Sequence, residues 1–258
     1  MSHRSARPFE LGNELTIVIP TINSARYLDI ILSFYRDHGF VVTVFVDSRT
    51  ADDTVALAKR FTETVVISTP AAFAEELIRP MSYLCKTPWI LRLDDDELPT
   101  LAMMEFVRQC VQRADSPVHG FQRHQCAVSR DGRLLSHAEV SPYNHRQWRL
   151  FQPDQVKFAP ELHTPGFEWE GMGGDGGPPE ISMIHLDWAL HTYEERRRKV
   201  DRYEAFNAEG RGAPQSYAYY LYEDQSWPND RFRELAFPEF DRTCLEITDR
   251  FKELCVGF

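Results

Sequence analysis

Up to residue 114 the chain alternates short apolar runs with segments of helical spacing, a pattern that restricts it to a largely parallel sheet covered by helices. Leu15-Thr-Ile-Val-Ile-Pro20 is apolar, β-branched and stopped by proline, as suits a strand buried on both faces. Residues 25–36 then place Tyr27, Leu28, Ile31, Leu32 and Tyr35 at helical spacing, with Gly39 as a stop signal. The same reading predicts strands over 41–46, 64–68 and 89–93 and helices over 52–61 and 72–85. The fold class is α/β, with a mostly parallel central sheet flanked by helices. In such sheets ligands bind beyond the carboxyl ends of the strands. Those ends read Pro20-Thr-Ile-Asn23, Asp47-Ser-Arg-Thr50 and Asp94-Asp-Asp-Glu97, so one polar edge is expected to form a site.

Beyond residue 114 the pattern changes to β-like pieces over 118–128, 147–151 and 181–184, separated by proline and glycine. Gly171-Met-Gly-Gly-Asp-Gly-Gly177 reads as an irregular, mobile loop, because glycine gives up the largest backbone freedom on ordering. From Thr192 onward the chain reads as mostly helical, and the run Glu194-Glu-Arg-Arg-Arg-Lys199 reads as a solvated helix face.

Composition narrows the functional classes. Thirty-nine acidic against 29 basic side chains give a net charge of -10, which repels a phosphate backbone and argues against nucleic-acid binding. Cys85, Cys110, Cys126, Cys244 and Cys255 are odd in number and contain no C-x-x-C pair, which fits a reducing cytoplasm and offers no thiolate zinc site. The first residues lack the apolar core of a signal peptide and no window approaches 18 apolar residues, so a cytoplasmic protein with no transmembrane segment is expected.

The acidic cluster carries the chemistry. On an extended strand Asp94 and Asp96 would share one side and Asp95 the other. Two carboxylates about 4 Å apart repel by roughly 4 kcal/mol at an effective dielectric near 20. A divalent cation offsets that repulsion, and hard oxygen ligands suit Mg²⁺ or Mn²⁺. Capping of the helix opening near Pro99 would employ one or two of these acids, whereas the sequence supplies four in succession.

Three segments together resemble the family 2 inverting glycosyltransferases, which have a GT-A fold: Leu15-Thr-Ile-Val-Ile-Pro-Thr-x-Asn23, Val46-Asp-Ser-Arg-Thr-Ala-Asp-Asp-Thr54 and Trp89-Ile-Leu-Arg-Leu-Asp-Asp-Asp-Glu97. Ile184-His-Leu-Asp187 with Tyr193-Glu-Glu-Arg-Arg-Arg-Lys-Val-Asp-Arg-Tyr203 resembles the tail of bacterial members. The resemblance implies a metal-dependent inverting transfer from a nucleoside-diphosphate sugar, typically UDP-linked, to a hydroxyl on a saccharide, a lipid-linked or another acceptor. It implies a disordered tail over 1–14, a nucleotide-sugar-binding half over 15–114, an acceptor half over 115–191 and a helical extension over 192–258. Pro20, Thr21 and Asn23 would line the nucleotide site, Asp47 would bond the base, and Asp94 and Asp95 would meet the ribose or donor sugar. Asp94, Asp96 and His185 would hold the metal.

Other residues carry two readings each. Asp47 also suits a turn, His185 a structural role, Arg79 either the donor phosphates or plain surface, and Trp148 either a sugar ring or the core. His163 stands where relatives have a His-Glu pair, yet Thr164 follows it, so the acid expected to deprotonate the acceptor is absent there. Glu161, Glu170 and Asp175 are the candidates for that base. Two further readings compete: a nucleotidyltransferase, which would carry a basic glycine-rich loop that Thr21 to Arg26 lacks, and an inactive sugar-nucleotide-binding protein.

Overall fold

A computed structural model describes residues 11–129, 131–137, 146–178, 180–211, 217–224, 232–235 and 238–252. Four strands, β1 (Leu15–Thr21), β2 (Val42–Asp47), β3 (Val65–Ser68) and β4 (Trp89–Arg92), run parallel in the order β4-β1-β2-β3. Helices α1 (Leu28–Asp37), α2 (Thr54–Ala58) and α3 (Ile78–Leu84) make the crossovers, the last preceded by a 3₁₀ turn over Ala74–Leu77. Strand alternation feeds two cores. Ile17, Ile19, Val44, Val46 and Leu91 join the larger one with α1, while Val18, Phe45 and Ile90 pack on Ile78 and Met81 of α3. Because β1 lies between β2 and β4, chain direction away from β1 reverses there, which opens a crevice at the carboxyl ends of β1 and β4.

The second half extends the sheet with antiparallel strands. The three residues of β5 (Glu97–Pro99) follow the acidic cluster and lead into α4 (Leu101–Arg113), capped by Thr100, whose hydroxyl accepts from Met103 N–H. The long β6 (Val118–Val128) pairs with β7 (Leu134–His137) at its far end and with β8 (Gln147–Phe151) at its near end, and β8 joins β4. Strands β9 (Lys157–Phe158) and β10 (Phe167–Glu168) form a separate ribbon. Strand β11 (Gly174–Asp175) lies parallel to His119–Gly120 of β6, and β12 (Ser182–His185) runs parallel to the middle of β6 and antiparallel to β5. Helices α5 (Asp187–Leu190) and α6 (Tyr193–Ala208), strand β13 (Phe232–Glu234) and helix α7 (Asp241–Arg250) complete the order. Helix α7 returns to α1, with Phe240 stacked on Phe34 at 5.3 Å and Arg250 paired to Asp29 at 2.6 Å.

Three expectations are corrected. Asp94–Asp96 are not strand: β4 ends at Arg92, Glu97 opens β5, and Glu97 N–H closes a turn on Asp94 O at 3.0 Å. The glycine segment is partly strand. A Cβ on Gly173 or Gly174 would overlap Trp148 or His119, and one on Gly176 would sit 2.7 Å from Gly120 O, so these glycines permit close backbone approach. The charged run is only half solvated, because Arg196 is 1% exposed and Lys199 points inward one turn later. Residues 1–10 of the expected tail lie outside the described residues; Leu11 is buried in the main core. Among the described residues no helix is long and apolar enough to cross a membrane.

Candidate functional site

The crevice is a cavity of about 490 Å³ at the carboxyl ends of β1, β2 and β4, closed on the far side by β8, the loop 162–165, α6 and Tyr219–Tyr220. The turn after β4 fans its acids in three directions. Asp94 accepts from Arg92 Nη2 at 2.6 Å and Arg149 Nη2 at 2.7 Å. Burial opposes its charge, but Arg149 and Arg92 hold the carboxyl well below the usual carboxylate range. Asp95 points to the end of β1, where its Oδ2 accepts from Thr21 at 2.7 Å and Ser24 at 2.5 Å. Burial and the neighbouring Asp96 charge push it up to about 7 against those hydrogen bonds. Asp96 is 5% exposed and faces the second half of the chain.

Behind Asp96 stands a cluster drawn from β12, α5 and α6. Its Oδ2 lies 3.4 Å from His185 Nε2 and 3.9 Å from His191 Nε2. Asp96, Asp187 and His191 each offer a ligand atom within 4.8 Å of the others, a group able to hold a metal ion. Lys199 Nζ bonds Asp187 Oδ1 at 2.7 Å, while Asp187 Oδ2 is buried with no hydrogen-bond partner among the described residues. Despite burial, His185, Lys199 and His191 hold the Asp96 carboxyl well below its ordinary range, and Lys199 with His191 lowers that of Asp187. Burial lowers His191, against the pull of Asp187 and Asp96.

These residues fit a divalent cation. With Gln125 Oε1 accepting from His185 Nδ1–H at 2.5 Å, His185 Nε2 is turned to Asp96 Oδ2 at 3.4 Å, a meeting that needs a proton or a cation between the two. Two carboxylates against one ammonium leave one negative charge uncompensated, and Asp187 Oδ2 lacks a partner among the described residues. Mixed carboxylate and imidazole donors suit a borderline divalent ion such as Mn²⁺.

The sequence-derived residues divide by position. Pro20, Thr21, Asp47, Asp94, Asp95, Asp96 and His185 all line the cavity, and Asn23 lines an adjoining one of about 340 Å³ that shares Tyr27, His191, Lys199 and Arg202. Asp47 is engaged within its own turn: Arg49 binds both oxygens, and Arg49 N–H and Ala71 N–H add bonds at 2.8 and 3.1 Å. Asp94 points into its two arginines, apart from the Asp96 group. Arg79 is exposed on α3 and donates to Tyr83. Glu161 and Glu170 are exposed and do not line the cavity, although Leu162, His163, Thr164 and Pro165 do. Asp175 belongs to β11, and its side chain lies outside the described residues. Trp148 packs on Trp169 at 4.8 Å and lines the cavity.

Sequence reading passed over Asp187, His191 and Lys199 as site residues, and over the arginine floor made by Arg92, Arg123 and Arg149. The floor is an alternating network: Arg149 bridges Asp94 and Glu97 at 2.7 Å each, and Arg123 reaches Glu97 at 3.4 Å. For Arg92 and Arg149 the sequence signal is charge inside mostly apolar strands; Arg123 lies in the polar β6 and had none.

No protein-family model and no curated protein matches the sequence. Among solved structures the chain is similar to residues 1–349 of S. aureus TarS, at 11% identity over 94% of this chain and 81% of that chain, with a TM-score of 0.46. It is similar to the same TarS fragment in complex with UDP-GlcNAc at 12% identity, 93% and 73% coverage and a TM-score of 0.42. A CMP:2-keto-3-deoxy-manno-octonic acid synthetase complexed with CTP aligns at 14% identity over 46% of this chain and 55% of that one, with a TM-score of 0.33. Against the longer TarS structure the chain spans 41% of the partner's length.

Proposed function

We propose that this chain is a GT-A-type glycosyltransferase that takes a sugar from a nucleoside-diphosphate donor, UDP-linked, and transfers it with inversion to an acceptor hydroxyl. The observation that carries the reading is the meeting of Asp96, Asp187 and His191 with Lys199 at the crevice between β1 and β4. A diphosphate needs positive charge there, and this corner supplies an ammonium and a cation site in an otherwise acidic protein. Mn²⁺ or Mg²⁺ held by Asp96, Asp187 and His191, with His185 behind Asp96, would neutralise charge on the departing phosphate.

The chain's own residues divide the remaining work. Pro20, Thr21 and Asn23 border the nucleotide, and Asp47, released from Arg49, accepts a hydrogen bond from the base. Lys199 and Arg202 face the diphosphate, and Asp95, tied to Thr21 and Ser24, orients the ribose or sugar hydroxyls. The acceptor enters from the side of Trp148 and the loop 162–165. The cysteine pattern favours the cytoplasm as its compartment.

Calorimetry with UDP and Mn²⁺ tests the reading. The wild type is expected to bind UDP in the presence of Mn²⁺ and to lose affinity on chelation. Asp96→Ala should abolish the metal dependence while the circular-dichroism spectrum and cooperative unfolding persist. Wild-type affinity in that variant removes the metal assignment, and turnover of a nucleoside triphosphate with a sugar phosphate replaces the reading by nucleotidyl transfer.

A further inference from the structure

One carboxylate in the cavity has no part in the reading above. Glu75, in the 3₁₀ turn between β3 and α3, has an 11% exposed side chain and lines the cavity. The acids around it are committed: Asp47 to Arg49, Asp94 to Arg92 and Arg149, Asp95 to Thr21 and Ser24, Asp96 to the histidine cluster. Among the described residues the carboxylate of Glu75 has one ion-pair partner, Arg92 Nη1 at 3.8 Å, beyond hydrogen-bonding length.

Its place in the fold is equally specific. Through Arg92 it adjoins the donor end, since Arg92 also holds Asp94. On the other side it touches the acceptor loop. A Cβ added to Gly166 would lie 3.3 Å from Glu75 Cβ and 2.5 Å from Ile78 Cδ1, and Gly166 has a φ of +79°, so only glycine lets the loop close on this turn. Neither Glu161 nor Glu170 reaches the cavity.

We propose that Glu75 is the general base of the transfer. The assignment rests on the transferase reading. The acceptor oxygen forms the new bond to the anomeric carbon, and the bond from that carbon to the phosphate oxygen breaks. Its electron pair leaves on the nucleoside diphosphate, and the hydroxyl proton passes to the Glu75 carboxylate. Burial raises the Glu75 carboxyl against the pull of Arg92, bringing it nearer to the operating pH, where a base is efficient.

Donor hydrolysis, with water as acceptor, tests this using UDP-glucose, UDP-galactose and UDP-GlcNAc. Glu75→Gln is expected to bind UDP like the wild type, while kcat for UDP release falls by about 10²- to 10⁴-fold at a nearly unchanged KM. Glu75→Ala should regain UDP release in sodium azide and yield a glycosyl azide by mass spectrometry, because azide has no proton to lose. A role in binding or folding alone would raise KM or lower the melting point without azide rescue, and would overturn the assignment. Wild-type kcat in Glu75→Gln overturns it too, as does intact UDP binding with no release by the wild type in water or by Glu75→Ala in azide. A wild type that binds no UDP overturns the transferase reading, and this assignment with it.

Discussion

Replacing Arg149 by methionine isolates the energetics of the arginine floor. Its side chain is 6% exposed and its Nη2 bridges Asp94 and Glu97 at 2.7 Å each. Methionine keeps the length of the aliphatic stem and removes the charge. Asp94 retains Arg92 at 2.6 Å, but Glu97, whose side chain is 0% exposed, is left with one cation, Arg123 at 3.4 Å, and the Asp94 N–H at 3.1 Å among the described residues. Removing one partner of a buried pair strands the other charge and costs about 3–5 kcal/mol. At about 2–4 °C per kcal/mol for a domain of this size, the melting point should fall by roughly 6–20 °C. Urea titration and calorimetry at pH 7 measure both. The double variant Arg149→Met/Glu97→Gln removes the stranded charge and should be more stable than Arg149→Met alone. A loss below about 1 kcal/mol in the single variant, or a double variant no more stable than the single, refutes the view that Glu97 depends on Arg149.

Other perturbations probe separate parts of the fold. Burial, reinforced by Arg123 and Lys199, pushes the His163 imidazole down to about 3, so it folds neutral. An unfolded histidine near 6.5 binds its proton first, so stability is full above that pH and is lost as pH falls toward the folded value. The loss should reach about 2 kcal/mol by pH 5. His163→Asn, tolerated at a φ of +60°, should flatten this acid limb in urea titrations at several pH values, and an unchanged slope contradicts the assignment. Gly174→Ala drives a methyl into His119 and should destabilise by about 1–3 kcal/mol, whereas a neutral effect in denaturant titration would mean that β11 can lift off β6.

How far the sequence speaks depends on how local each interaction is. Strands β1, β2 and β4 are buried on both faces, so their apolar runs are nearly continuous and unmistakable, and they fixed the polar ends Thr21, Asp47 and Asp94–Asp96 on one edge. Strand β5 has three residues and owes its existence to β12, more than 80 positions later, so no periodicity announces it. The metal-type cluster hid for a similar reason. Asp96 comes from the first half, while His191 and Lys199 follow Asp187 at i+4 and i+12 through the α5 to α6 junction. The helical phase of Arg196 and Lys199, pointing inward while Arg197 and Arg198 are exposed, was the available signal. Thr192 and Glu195, which form a capping box, mark where that phase begins. Glu75 gave no sign at all, because a short 3₁₀ turn carries no pattern that separates an inward acid from its outward neighbours.

The pairing of Glu97–Pro99 with Met183–His185 fastens the acidic turn on its downstream side, as β4 does upstream, and Leu186 N–H adds a bond to Asp96 O at 2.8 Å. Asp95, Asp96 and His185 are therefore cut from one slab. Their mutual spacing is set when the chain folds, and the ordering entropy of roughly 1–2 kcal/mol per residue does not fall on ligand capture. Chemistry and spacing are thus under separate control: exchanges at residues 94–96 alter what the corner can hold, whereas exchanges at Leu98, 1% exposed within β5, shift the corner while touching nothing that binds there.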